Sequence, residues 1–251
     1  AAGACFGESA GWERPNWYAE PGQKPEYDYD FGRQNWFDNN ATEHRAVREA
    51  VGLFEQSSFS KILVQGRDAE RVLNRLATAD MSVPVGKVAY TQFLNDRGGV
   101  EADLTVTRMA EDRYLVVTPA FTHTHVDAWI HDHIGEEDFC VTTDITAAQV
   151  MLNIQGPNSR ALLTAISSAD FSNDAFPFGT MQEIEIGYQQ AEAVRISYSG
   201  ELGWELYIPT EMALPVYDRL IEAGADFGLK HCGYHTLNTL RAEKAYREWA
   251  H

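Results

Sequence analysis

The chain has 251 residues, 44% of them hydrophobic, which is enough to bury a core in one or two domains. Its 37 acidic residues outnumber 20 basic ones for a net charge of −17, which argues against nucleic acid and anionic membrane surfaces as partners but leaves open a small anion held in a local basic patch. No apolar run approaches the roughly 18 residues that span a bilayer, no signal peptide opens the chain, and Cys5, Cys140 and Cys232 are too few and too scattered for a disulfide framework or a zinc site.

Residues 1–40 have no period of 2 or 3.6 and are rich in Gly, Pro, Asp and aromatics, as in GWERPNWYAEPGQKPEYDYDFG. They read as an extended arm or linker. Trp12, Trp17, Tyr18, Trp36 and Phe37 are too many for a free tail and are expected to pack on a neighbouring surface. Gly3, Gly7 and Gly11 do not make a dinucleotide fingerprint, and neither a P-loop nor a G-x-S-x-G elbow occurs, so no flavin or nicotinamide site is expected in this chain. A helix follows, with Thr42 expected as its N-cap and Glu43 to Leu53 behind it.

Ile62-Leu63-Val64-Gln65-Gly66 reads as a strand and its exit, and Val72, Leu73 and Leu76 mark a helix after it. Next comes the stretch richest in information, YTQFLNDRGGVEADLTV, from Tyr90 to Val106. The turn signal Asn95 to Gly99 makes it a hairpin. Val100, Ala102, Leu104 and Val106 alternate onto one face, and Glu101, Asp103 and Thr105 onto the other. Asp103 is an acid in mid-strand. It belongs either to a solvated face or to proton or cation chemistry.

Tyr114 to Pro119 is a further strand, leading into an amphipathic helix over 122–134. His123, Asp127 and His131 share one face of that helix. Polar residues at that spacing usually make a solvated face, so no metal site is assigned. The pattern then starts again. Leu152 to Gly156 answers Ile62 to Gly66; Leu162, Leu163 and Ile166 answer Val72, Leu73 and Leu76; Trp204 to Pro209 answers Tyr114 to Pro119; a helix over 212–223 closes the set. The offset is 90 residues, so two similar units run in tandem, about 61–140 and 151–230. Strands in hairpins favour an α+β fold with antiparallel sheets and pseudo-twofold symmetry, with a cleft between the halves.

An asymmetric ligand needs groups that break the symmetry. At this offset Asp103 matches Ala193, and Glu205 matches Leu115. Glu205 stands on an otherwise apolar, aromatic strand, so it needs a partner. Either Arg241 or Lys244 supplies it, or the N–H groups of a flat heterocycle do. Tyr90, Tyr198 and Trp204 offer stacking faces. The chain ends in a helical pattern, His235 to Tyr246, and starts without Met, so it is expected to be a piece of something longer.

Four segments carry a family resemblance: YTQFLNDRGGVEADLTV (90–106), NIQGPNSRALL (153–163), ISYSGELGWELYIP (196–209) and TLRAEKAYREWAH (239–251). Their order and spacing resemble the folate-binding aminomethyltransferase superfamily of the glycine-cleavage T-protein. With GWERPNWY (11–18), the chain most resembles the C-terminal region of sarcosine and dimethylglycine dehydrogenases. The resemblance implies a duplicated α+β folate-binding domain over 41–251. It also implies a preceding flavin domain joined through residues 1–40, with FAD bound only there, and a following small barrel.

By the same resemblance, Asp103 is the catalytic acid, although T-proteins often carry two adjacent acids where this chain has Ala102-Asp103. Tyr90, Tyr198, Glu205 and Arg241 become the tetrahydrofolate-binding residues, Arg241 as the arginine of a family motif. The expected activity is transfer of a carbon from an N-methyl amine-derived iminium to tetrahydrofolate, in the bacterial cytoplasm or the mitochondrial matrix. A free-standing aminomethyltransferase or demethylase of the same fold, or a non-catalytic folate-binding module, are the alternatives.

Overall fold

The computed structural model describes residues 2–249. The arm opens as a hairpin of β1 (Ala4–Ser9) and β2 (Trp12–Tyr18), joined through Ala10 and Gly11 at positive φ. Trp17 is fully buried, Trp36 stacks on His235 at 4.1 Å, and the Tyr27 hydroxyl hydrogen-bonds to His235 Nε2 at 2.9 Å. These three aromatics find their surface within this chain, whereas Tyr29 and Phe31 stay exposed.

Helix α1 (Phe37–Glu49) starts ahead of Thr42, whose hydroxyl donates to the Asp38 carbonyl at 2.9 Å rather than capping. It also stops sooner than the pattern suggested, because Val51 to Leu53 belong to β3 (Val51–Glu55). The apolar run VGLF suits a strand buried on both faces as well as it suits a helix. Gly52 decides between them: a Cβ there would come within 2.5 Å of Val47 and 2.8 Å of Cys232, so β3 threads a gap that only glycine allows.

The first unit continues with β4 (Ser60–Gln65), α2 (Ala69–Leu76), β5 (Val88–Leu94), β6 (Val100–Ala110), β7 (Arg113–Thr118) and α3 (His123–Asp132). After β8 (Val141–Asp144), the second unit has β9 (Gln149–Gln155), α4 (Ser159–Ile166), β10 (Thr180–Ile186), β11 (Gln189–Arg195), β12 (Gly203–Pro209) and α5 (Ala213–Gly224). Strand β13 (Leu229–Cys232) and α6 (Tyr234–Glu243) complete the described chain. The fold is α+β, and only β13 and β3 pair in parallel among the described strands.

The strand orders are β5-β6-β7-β4-β8 and β10-β11-β12-β9-β3-β13. Strand β3 leads into β4 but pairs with β9; β8 leads into β9 but pairs with β4. Each unit thus lends its leading strand to the other's sheet, and the two halves cannot separate without breaking both ladders. At the start of α2 and α4, Gly66 and Gly156 hold φ of 130° and 134°.

Helices cover the outer face of each sheet. Val72, Leu73, Val126 and Ile130 pack on Ala102, Leu104 and Val106 in the first unit, and Leu162, Leu163, Val216 and Leu220 pack on Trp204, Leu206 and Ile208 in the second. A separate cluster joins the inner faces, with Val88, Leu115 and Val117 from one sheet and Met151, Val194 and Tyr207 from the other.

The two units depart from the 90-residue match at one place. Thr105 pairs with Val117, yet Tyr207, the counterpart of Val117, pairs with Glu192 and not with Arg195. The hairpin β10–β11 has slipped by three residues. An odd slip turns every side chain to the other face. Ala193 therefore faces the helices, and the strand position that answers Asp103 is the exposed Gln190. The pairing of Asp103 with Ala193 expected from the sequence is corrected accordingly. Glu205 and Leu115 do occupy matching positions, because β4–β7 and β9–β12 keep the same register.

Candidate functional site

The inner faces carry the polar chemistry. Tyr90 lies opposite Thr105 and Gln92 opposite Asp103, so these four side chains leave one face of the β5–β6 hairpin. Ala102 and Leu104 point the other way, into the helix-covered core. The turn fixes this register: Asn95 accepts backbone N–H groups from Gly98 (2.8 Å) on its main chain and from Gly99 (2.9 Å) on its side chain. The Gln92 side-chain amide donates to Asp103 Oδ1 at 2.8 Å. Tyr90 is 63% exposed. Partial burial, then a hydrogen bond to Asp103 and that residue's charge, push its hydroxyl up to about 12.

Tyr198 sits on the 196–202 loop between β11 and β12. Burial pushes its hydroxyl up to about 12; Arg241 opposes this, while Glu248 and Asp103 add to it. Tyr198 in turn acts on Tyr90. Tyr90, Asp103 and Tyr198 therefore share one electrostatic neighbourhood. Arg241, on α6, lies 5.9 Å from the Tyr198 ring centre and bonds to Glu248 (3.1 Å), Asn238 (3.0 Å) and the Tyr246 carbonyl (3.2 Å).

Glu205 stands on β12 between Asn153 and Val194, on the inner face. The sequence left Arg241 or Lys244 open as its protein partner. Arg241 bonds elsewhere, as above, and the Lys244 chain lies over Gly200. The partner is Tyr207, two residues along the same strand face, whose hydroxyl donates to Glu205 Oε2 at 2.8 Å. Burial pushes the Glu205 carboxyl up to about 7, and the Tyr207 bond only partly opposes it. Trp204 offers no stacking face: it is fully buried against Phe171 (5.3 Å) and Phe176 (6.0 Å) on the helix side.

Residues outside the expected set hold the site together. Gln155 accepts hydrogen bonds from Ser197 (2.9 Å) and Ser199 (3.1 Å), and donates to Asn153 (2.6 Å), which donates to Gln56 (2.9 Å). Arg48, from α1, donates to the carbonyls of Ser199 (3.0 Å) and Leu240 (3.2 Å), and pairs with Glu201 and Glu243. The Tyr198 loop is thus pinned to β9, α1 and α6. A sequence signal for part of this existed: Asn153 and Gln155 alternate with Leu152 and Ile154 in a strand otherwise fit for complete burial.

The histidine face of α3 is taken up by local bonds, His123 with Ser60 (2.6 Å) and His131 with Thr142 (2.7 Å). No group of three or more metal-capable side chains occurs among the described residues. Cys5, Cys140 and Cys232 are free and buried. No described helix is long and apolar enough to cross a membrane.

The family model of the GCVT N-terminal domain matches residues 1–251. The 4-methylaminobutanoate oxidase (formaldehyde-forming) of Paenarthrobacter nicotinovorans is 49% identical over 251 residues, covering 99% of this chain and 30% of that protein. Mitochondrial dimethylglycine dehydrogenase of Mus musculus is 36% identical over 245 residues, covering 97% of this chain and 28% of that protein. The chain thus spans less than a third of the length of these relatives. The crystal structure of glycine cleavage system aminomethyltransferase T from Bartonella henselae aligns with a TM-score of 0.79 at 26% identity, over 98% of this chain and 60% of that one. A sheet pair with this topology, and a sequence match from end to end, lead to one assignment: the chain belongs to the GCVT N-terminal domain family, as an aminomethyltransferase-like domain related to the sarcosine and dimethylglycine dehydrogenases.

Proposed function

We propose that this domain transfers a one-carbon unit from an iminium derived from an N-methyl amine to tetrahydrofolate, giving 5,10-methylenetetrahydrofolate and the demethylated amine. The observation that carries the reading is the asymmetric pair of acids on the inner faces. Asp103 has one oxygen held by Gln92, and Glu205 is half-buried with a tyrosine as its partner. A half-buried carboxyl with no cation bonded to it among the described residues suits a ligand that brings N–H donors. The amino-pyrimidine edge of a pterin brings two.

Tetrahydrofolate supplies the nucleophilic nitrogens. Glu205 accepts the N–H groups of the pterin edge and so fixes its orientation. Tyr90 and Tyr198 border the Asp103 neighbourhood as ring surfaces. Arg241 holds Tyr198 and the chain around Tyr246 in place. Asp103 accepts the proton shed by each folate nitrogen as it attacks and passes it to the amine, which gains two protons in all and leaves as an ammonium. Both components of the iminium C=N bond to the amine break, two C–N single bonds to the folate nitrogens form in their place, and no oxidant is consumed. The oxidation that makes the iminium belongs to a flavin domain preceding residue 1, joined through residues 1–40; a small barrel following this domain completes the proposed parent protein.

The test uses the full-length polypeptide that carries this chain. Asp103→Asn should lower methylenetetrahydrofolate formation by roughly 10²-fold, the scale of a lost general base, with tetrahydrofolate affinity changed far less. The amide keeps the shape and one acceptor oxygen. Free formaldehyde released in full stoichiometry with tetrahydrofolate present, or Asp103→Asn abolishing binding while sparing turnover of bound folate, would refute the reading.

A further inference from the structure

We infer that Gln92 is a positioning residue for Asp103, holding one carboxylate oxygen so that the other faces the transferred carbon; this rests on the folate-transfer reading above. The two residues are direct cross-strand partners, and the Gln92 Nε2 donates to Asp103 Oδ1 at 2.8 Å. An ionised carboxylate accepts at two oxygens. A donor fixed on one of them selects a rotamer and leaves the second oxygen as the proton acceptor.

The donor itself is fixed. The Gln92 main chain is anchored at both ends of its peptide: its carbonyl accepts the Thr78 N–H at 2.9 Å, and its N–H reaches the Thr78 hydroxyl at 3.4 Å. That hydroxyl is held in turn by Thr91, at 3.1 Å, which is buried. Tyr90, two residues from Gln92 on the same strand face, interacts with both Asp103 and Gln92 through its hydroxyl. Asp103, its amide donor and the phenol therefore lie on one hairpin face. The register that places them is set by the turn at Asn95 to Gly99 together with the bulge beside it, where the pairing shifts between Phe93 and Leu94. A side chain that only filled space at position 92 would not need a donor. A glutamine directly across from the proposed base supplies one where the geometry of proton transfer is set.

The variant is Gln92→Met, which keeps the length of the side chain and removes the donor. In the full-length polypeptide it should lower the turnover of one-carbon transfer by about tenfold, with tetrahydrofolate affinity held within about twofold. The deciding readout is non-additivity. If Gln92 acts through Asp103, the double variant Gln92→Met/Asp103→Asn should be no slower than Asp103→Asn alone. Thermal unfolding by circular dichroism checks that each variant is folded. Should Gln92→Met fail to fold, Gln92→Asn keeps the amide but stops it short of Oδ1, and the same loss of turnover is expected.

Two single effects that multiply in the double variant would overturn the inference. So would a loss of folate affinity as large as the loss of turnover. The outcomes separate the two readings. A slow Asp103→Asn with a fully active Gln92→Met sinks only the positioning role. An Asp103→Asn variant of normal turnover sinks the transfer reading and this inference with it.

Discussion

Replacing Glu205 with glutamine should stabilise the folded chain at alkaline pH while weakening its hold on tetrahydrofolate. In the fold, burial moves the carboxyl from its ordinary 4.5 to about 7. The group therefore binds its proton more tightly folded than unfolded. Its contribution to stability is complete below pH 4.5 and is lost as pH rises through 7. At pH 8 the ionised carboxylate costs up to about 3 kcal/mol, a figure reduced to about 2 by the residual solvent access of Glu205. The substituted glutamine would be isosteric and neutral, and its carbonyl would still accept from Tyr207. Thermal or urea unfolding of the two proteins should show Glu205→Gln more stable by about 1–2 kcal/mol at pH 8, a rise of roughly 2–8 °C for a chain of this size, with the advantage shrinking toward zero at about pH 4.5. Folate binding should move the other way and weaken by about 1–3 kcal/mol, because the new amide turns an N–H toward the pterin's own donors. A stability gain of equal size at both ends of that pH range would refute burial as its cause. A loss of stability at alkaline pH would show that the carboxylate has a cation partner.

The same carboxyl predicts that wild-type affinity for tetrahydrofolate rises about tenfold between pH 6 and pH 8, as the ionised acceptor becomes populated, and that Glu205→Gln flattens this rise in calorimetric titrations. Arg48→Met should cost about 2–3 kcal/mol, since it strands the carbonyls of Ser199 and Leu240 and unpairs Glu201. Amide hydrogen exchange should rise over 196–202 more than over β9; a uniform rise would mean that Arg48 does not hold the loop. Gly156→Ala should cost roughly 3 kcal/mol or more in chemical unfolding, because φ is 134° and a Cβ would meet the Ala50 carbonyl at 2.5 Å. Gly98→Ala, at φ 78° with open space around it, should cost about 1 kcal/mol and serves as the comparison.

The duplication was legible because it is written in strongly periodic segments. Ile62 to Gly66 and Leu152 to Gly156 have the same apolar run and the same terminal glycine, and the amphipathic helices behind them repeat their spacing. Asp103 could be placed on a face because Ala102 to Val106 alternate without a break, although Val100, across a register shift opposite Leu94, is exposed instead of sharing the face of Ala102. Other features are set by contacts that a single sequence does not display. Strand β3 looked like the end of a helix, since VGLF is apolar at every position and only its neighbours Val47 and Cys232 make Gly52 necessary. Trp204 looked available for stacking because aromatic type does not reveal which side of a strand is covered by helices. The partner of Glu205 was two residues away on its own strand face, where the hydroxyl of an apolar-looking Tyr207 is easily overlooked beside the charges of Arg241 and Lys244. The exchange of β3 and β8 between sheets is invisible locally, because each strand is equally compatible with its own unit.

The three-residue slip of β10–β11 links these observations to the site. In the first unit β6 runs on to Ala110 and turns into β7 through Glu111 and Asp112. In the second, β11 ends at Arg195, and the chain crosses to Gly203 by a seven-residue loop, 196–202. A slip of odd length reverses the faces of β11, so the inner surface of the second sheet receives Glu192 and Val194 where an unslipped copy would have placed Ala193. The slack becomes the loop that carries Tyr198 toward Asp103 of the other half. Symmetric halves would present either two acids or two loops. Here one sheet supplies the acid on a rigid hairpin, and the other supplies the aromatic loop and the half-buried Glu205. A ligand with different ends requires that division, and a single slip in register is enough to produce it from a duplicated unit.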